Sequence, residues 1–132
     1  MRSALGRRHL LAAIGAAGAL VAAKAWAPAR AAVRDPAVGR LVGLFKHRDS
    51  ARAVGAAYLA LHPEEANADA LVRLIGDAPE DPVVIHEASP PELRAWLRRR
   101  QTHDFANGHI VKLDGWLLSR TEGRLCALSA LT

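Results

Sequence analysis

Residues 1–31 of this 132-residue chain decide how much of it is left to fold. Arg7-Arg8-His9-Leu10-Leu11 opens an Ala/Gly/Leu run from Leu10 to Ala23, followed by Lys24 and an alanine-rich exit. A paired arginine ahead of a short apolar stretch and small-residue cleavage sites is the pattern of a bacterial twin-arginine export signal. Arg7, Arg8, Leu10 and Leu11 are its expected recognition residues, and the twin-arginine export machinery is the first partner implied. That route carries folded cargo, so residues 32–132 are expected to form one small domain before reaching the periplasm. Ala29-Arg30-Ala31 supplies the expected cut, and Ala27-Pro28-Ala29 a second one. If the segment is retained, it becomes the chain's only membrane contact. Its apolar run of about 14 residues is short of the roughly 20 that span hydrocarbon. No cysteine follows the run, which argues against a lipid anchor.

The signal also changes the charge argument. The chain carries 18 basic and 13 acidic residues, a net charge of +5 that would invite a nucleic-acid or membrane-surface reading. Cleavage after Ala31 removes Arg2, Arg7, Arg8, Lys24 and Arg30, which leaves 13 of each sign. The mature domain is formally neutral, and no nucleic-acid partner is expected. Cys126 is the single cysteine. An intramolecular disulfide, a CxxC redox pair and a CxxCH haem attachment are therefore impossible, and packing alone must hold the fold. About 100 residues bury roughly 60–65% of their unfolded surface, which implies a modest stability margin.

Patterning predicts a mainly α fold, a small helical domain with one short β-hairpin near the C-terminus. Ala32 to Pro36 reads as a linker, and Leu41, Val42, Leu44 and Phe45 as a short amphipathic helix to about His47. Asp49 or Ser50 is placed to cap a second helix in which Val54, Tyr58, Leu59 and Leu61 recur at helical spacing. Gly55, Ala56 and Ala57 leave part of it small enough for close packing, and His62-Pro63 ends it. Asn67 caps a third helix carrying Leu71, Leu74 and Ile75, which Gly76 closes. The turn-rich stretch Asp77 to Pro82 is expected to separate two halves of the fold. Val83-Val84-Ile85 is either a brief strand or an extended connector. Ser89-Pro90-Pro91-Glu92 starts a fourth helix with a hydroxyl cap, a proline at the first position and a glutamate three residues on. It runs towards Phe105 and breaks at Asn107-Gly108. Two apolar runs then flank Asp114-Gly115, a two-residue hairpin signal. Ser119-Arg120-Thr121-Glu122 is a second capping box, opening a final helix with Leu125, Cys126, Leu128 and Leu131 on its apolar side.

Two blocks carry a resemblance. One is Asp104-Phe105-Ala106-Asn107-Gly108, Val111, Asp114-Gly115-Trp116-Leu117-Leu118-Ser119, Thr121-Glu122 and Arg124-Leu125-Cys126-Ala127-Leu128. The other runs from Ala53-Val54-Gly55 through Tyr58-Leu59 to Pro63-Glu64-Glu65. Together they cover about half of the mature chain and resemble a group of small twin-arginine-exported proteobacterial proteins of unestablished function. The resemblance implies export and a shared fold, and it supplies no catalytic residue. Gly123 departs from the alanine expected after Thr-Glu, and glycine inside a helix costs up to about 1 kcal/mol.

The residues that could carry chemistry are few. His103, Asp104 and His109 are the nearest to a polar constellation: His103 and His109 have the chemistry to share a metal, or Asp104 to orient a histidine for proton transfer. Their spacing matches no strong zinc pattern, and Asp104 and His103 also suit a helix end, so no metal, cofactor or catalytic residue is assigned. Trp116 is either a binding anchor on the hairpin or, as expected in a chain with only 5% aromatics, a plug between hairpin and last helix. Arg98-Arg99-Arg100 spreads over most of a helical turn without interleaved aromatics, and is expected to pair with nearby acids. Ser119 lacks a nucleophile elbow, and the capping box accounts for it. Cys126 reads as a buried small hydrophobe.

A folded-cargo signal, a small domain and the lack of a catalytic set point to an exported accessory or interaction protein. Co-export with a larger periplasmic or membrane-associated enzyme is the expected setting, and small helical subunits of membrane-bound flavin dehydrogenases offer an analogy. The alternative is a stand-alone periplasmic ligand-binding module or small enzyme using the His103–His109 region.

Overall fold

The computed structural model describes residues 35–132. Arg7, Arg8, Leu10, Leu11 and both cleavage sites lie outside the described residues. Five α-helices, a short 3-10 helix (Pro63–Glu65) and one two-stranded antiparallel hairpin are the regular elements of the described part, which is mainly α as patterning predicts. Helix α1 spans Pro36–Val42, α2 Arg48–Leu61, α3 Ala68–Gly76, α4 Pro90–Ala106 and α5 Arg120–Ala130. Strands β1 (Ile110–Leu113) and β2 (Trp116–Ser119) lie between α4 and α5. Among the described residues, no helix is long and apolar enough to cross a membrane.

The first helix begins earlier than expected. Asp35 caps it by accepting from Ala37 N at 2.8 Å, with Pro36 at the first helical position. An Asp-Pro pair is itself a helix start, since the carboxylate takes an orphan amide and proline has no amide to lose. The helix stops at Val42, so Leu44 and Phe45 pack on the core from a turn rather than from the helix. Helix α2 likewise starts at Arg48, without a side-chain cap, and Asp49 sits in its first turn. Its buried face is Ala51, Gly55, Tyr58 and Leu59, whereas Leu61 is exposed. Asn67 caps α3 by accepting from Ala70 N at 3.0 Å. Both bonds of the Ser89–Glu92 capping box form: Ser89 N donates to Glu92 Oε2 at 2.7 Å, and Glu92 N to Ser89 Oγ at 3.4 Å.

The segment between α3 and α4 holds no strand, and it does not divide the molecule. Val38, Leu71, Ile85, Leu93 and Leu128 belong to one continuous core. Arg40 fastens the connector to α1, donating from Nε to Ile85 O at 2.8 Å and from its other end to Ala88 O. Trp96, almost wholly buried, donates its indole N–H to Asp81 O at 2.7 Å. A tertiary bond thus satisfies an indole donor that burial would otherwise leave costly.

At the centre lies α5, in contact with α1, α2, α3, α4 and both strands. From Leu125 to Ala130 every residue is buried, so the helix has no solvent face there rather than the one apolar side that spacing predicts. Small residues make this possible. A Cβ on Gly55 of α2 would stand 1.9 Å from the Cys126 carbonyl oxygen, a separation no packed pair tolerates. Gly123 serves the same end, since a Cβ there would meet the Tyr58 ring at 2.7 Å. The propensity cost of that glycine is offset by close packing against Tyr58.

Candidate functional site

Two neighbouring regions collect the residues singled out above. The first lies where α4 ends. Asn107 and Gly108 reverse the chain, and His109 N donates to Asp104 O at 2.8 Å, so the strand that follows starts beside the helix it leaves. His109 O in turn accepts from Arg120 N at 2.8 Å. The Asp104 side chain is buried, and its Oδ2 accepts from Thr121 N at 2.8 Å. A residue of α4 therefore helps to cap α5, alongside Ser119 Oγ, which accepts from Glu122 N at 3.0 Å. A carboxylate at this position takes up an orphan amide and complements the helix dipole.

His103, Asp104 and His109 meet here, each offering a ligand atom within 4.8 Å of the others. His109 Nδ1 is 3.8 Å from Asp104 Oδ1, too far for a hydrogen bond. The imidazoles of His103 and His109 are tilted, with centroids 6.3 Å apart. A cavity of about 260 Å³ opens at this point, and its lining adds Asp77, Glu80, Arg100, Arg120 and Arg124. Arg100, largely buried, donates from Nη1 to Glu80 Oε1 at 3.2 Å, while its Nε and His103 Nδ1 are buried without a hydrogen-bond partner.

Arg124 of the cavity lining also belongs to a polar cluster that sequence spacing did not reveal. Glu65 accepts from Tyr58 Oη at 2.7 Å and from Arg124 Nε and Nη2 at 3.0 and 2.8 Å. Burial opposes the ionised form of Glu65. The bonds from Arg124 and Tyr58 and the Arg124 charge outweigh it, and hold the carboxyl below its usual range. Burial, then the bond to Glu65, pushes the Tyr58 hydroxyl above its ordinary value. No local signal links Glu65 to Arg124, which lie 59 residues apart.

The second region is the hairpin. Asp114 and Gly115 both have positive φ, 49° and 86°, as a two-residue turn of this kind requires. The register pairs Leu113 with Trp116 and Val111 with Leu118. Val111 and Leu113 are buried, but Trp116 is 76% exposed, which overturns its expected place in the core. The reason is position. Trp116 sits at the ribbon's tip, where the neighbouring part of α2 presents only the short side chains of Ala53, Val54 and Ala57. Those residues, with Leu113, Trp116, Leu118 and, at its end, Asp114, line a largely apolar groove of about 380 Å³. Leu117 and Ile110, on the opposite face of the ribbon, are also exposed.

The remaining candidates resolve as structural groups. Arg99 makes a two-point pair with Asp81, at 2.7 and 3.2 Å, and Arg100 pairs with Glu80, so two of the three consecutive arginines meet acids. Burial, then the nearby Glu122 charge, pushes the Cys126 thiol up to about 12, which leaves it an inert small hydrophobe. Comparison of the chain with models of known protein families, with curated proteins and with solved structures gives no match.

Proposed function

We propose that this protein is an exported accessory subunit that docks on a larger protein partner through its hairpin. The observation that carries the reading is Trp116, three-quarters exposed beside the apolar groove between β1–β2 and α2. A tryptophan left in water at the start of β2, directly after the turn, is a costly arrangement for a free monomer and a favourable one for an interface anchor. The groove walls, Val54, Leu113 and Leu118, suit an apolar side chain of the partner, with Trp116 closing over it. The paired arginine of the N-terminal segment supports export of the folded domain, alone or with its partner. The resemblance to small exported proteins agrees with this setting.

The test is recovery of the tagged protein from its own bacterium at native expression, with a photo-crosslinking residue at Ala53, an exposed position on the groove wall. One larger protein in stoichiometric yield, crosslinked from position 53 and lost with Trp116→Ser, is the expected result. Recovery as a lone monomer, or a partner retained equally by Trp116→Ser, overturns the reading.

A further inference from the structure

The end of α4 holds an arrangement that a docking role leaves unused. Asp104 is the rigid member: its side chain is 4% exposed, and the Thr121 amide fixes Oδ2. The other oxygen, Oδ1, faces His109 Nδ1 across 3.8 Å, a gap that no hydrogen bond fills. His103 adds a second imidazole, whose Nδ1 is buried with no partner. A buried polar atom without a partner costs on the order of 1–3 kcal/mol, and a native fold seldom carries one idly.

We propose that His103, Asp104 and His109 form a site for one divalent transition-metal ion of the zinc class. Two imidazoles and a carboxylate are a donor set that zinc takes in three-ligand sites, where a fourth position stays open. Here all three residues line the cavity of about 260 Å³, which leaves room for such a position. Bonds of about 2.0–2.1 Å to a tetrahedral ion place donor atoms roughly 3.3 Å apart, against the 4.8 Å limit within which these lie. The two histidines supply the adjustment. Their side chains are 41% and 54% exposed, so each ring can rotate towards the fixed carboxylate.

The surroundings fit the ion. A metal on His103 Nδ1 satisfies the orphaned atom and leaves Nε2 facing Glu80 Oε1, 3.8 Å away, the outer carboxylate that metal-bound histidines favour. Thr121 N–H plays the corresponding part for Asp104. Two of the cavity's arginines are already neutralised, Arg100 by Glu80 and Arg124 by Glu65, so they repel a cation less than their number suggests. Asp77 and Asp104, in the same lining, disfavour a phosphate as the occupant.

The experiment is calorimetric titration of the tag-free full chain with Zn²⁺, then with Mg²⁺, and absorption spectroscopy with Co²⁺. The expected result is one equivalent of Zn²⁺ bound, no heat with Mg²⁺, and the intense ligand-field bands of four-coordinate Co²⁺. His103→Ala and His109→Ala should each weaken Zn²⁺ binding about ten-fold or more while leaving the circular dichroism spectrum unchanged. His62→Ala is the control, because His62 also faces a carboxylate, Glu64 at 3.3 Å, outside the site. No stoichiometric Zn²⁺ binding, or binding indifferent to both His103→Ala and His109→Ala, overturns the proposal.

Discussion

Helices α4 and α5 open with the same Ser-x-x-Glu pattern and live in opposite surroundings. In α4 the box is solvent-exposed and complete, and the helix shows water a face of Arg94, Arg98 and Arg99. In α5 the serine is fully buried and only its half of the box forms, while Asp104 reaches in from α4 to take the next orphan amide. The same tetrapeptide thus marks where a helix starts and says nothing about where it lies. What separates the two is the row of small residues that follows in α5. Gly123, Cys126, Ala127, Ser129 and Ala130 let neighbours approach from every side.

Breaking the close approach should have the largest effect. Gly55→Ala forces a methyl group against the Cys126 carbonyl, and the backbones of α2 and α5 must part. We expect a loss of about 3 kcal/mol or more, read as a fall in urea midpoint or as failure to fold. Next comes the borrowed cap. Asp104→Ala strands a buried amide of α5 and should cost about 2–3 kcal/mol by thermal unfolding, far more than a surface substitution.

A smaller effect follows from acid. Folded Glu65 holds its carboxyl below the usual range, so its bonds to Arg124 and Tyr58 add stability above the unfolded carboxyl pKa of about 4.3. That contribution is lost as pH falls through the lower, folded value. Glu65→Gln should remove about 1 kcal/mol near neutrality, once solvent screening is allowed for. It should also flatten the decline of stability between pH 5 and the acid transition. The smallest effect belongs to α4: Ser89→Ala loses an exposed local cap and should cost about 0.5–1 kcal/mol. If Ser89→Ala proved as costly as Asp104→Ala, the distinction between the local and the borrowed cap would fail.

The same distinction governs what could be read from the sequence. Some starts, stops and turns were legible because they rest on neighbours in the chain: Asn67, Ser89, His62-Pro63 and Asp114-Gly115 act where expected, whereas Asp49 and Ser50 cap nothing and Gly76 lies inside α3, which Asp77 ends. The start of α1 was equally local but lay in Asp35-Pro36, a pair that reads as linker unless the missing proline amide is considered. Burial was less legible. Leu61 and Trp116 have core chemistry, yet each falls where nothing packs over it, and that depends on elements distant in sequence. At the candidate site, His103, Asp104 and His109 stood out by residue type. Their meeting with Glu80, Arg100 and Arg120 needs the connector and α5 to arrive on the same spot. The Tyr58–Glu65–Arg124 cluster left no local trace at all.

The central place of α5 also bears on the chain before it is complete. Among the described residues, the four other α-helices and both strands precede α5 in the sequence, and each touches it. While the chain is growing, the apolar faces of α1 to α4 have no common surface to settle on until Arg120 and the residues after it follow. Native assembly of these elements therefore waits on α5, and a nascent chain that has not yet reached it leaves the apolar faces of α1 to α4 uncovered.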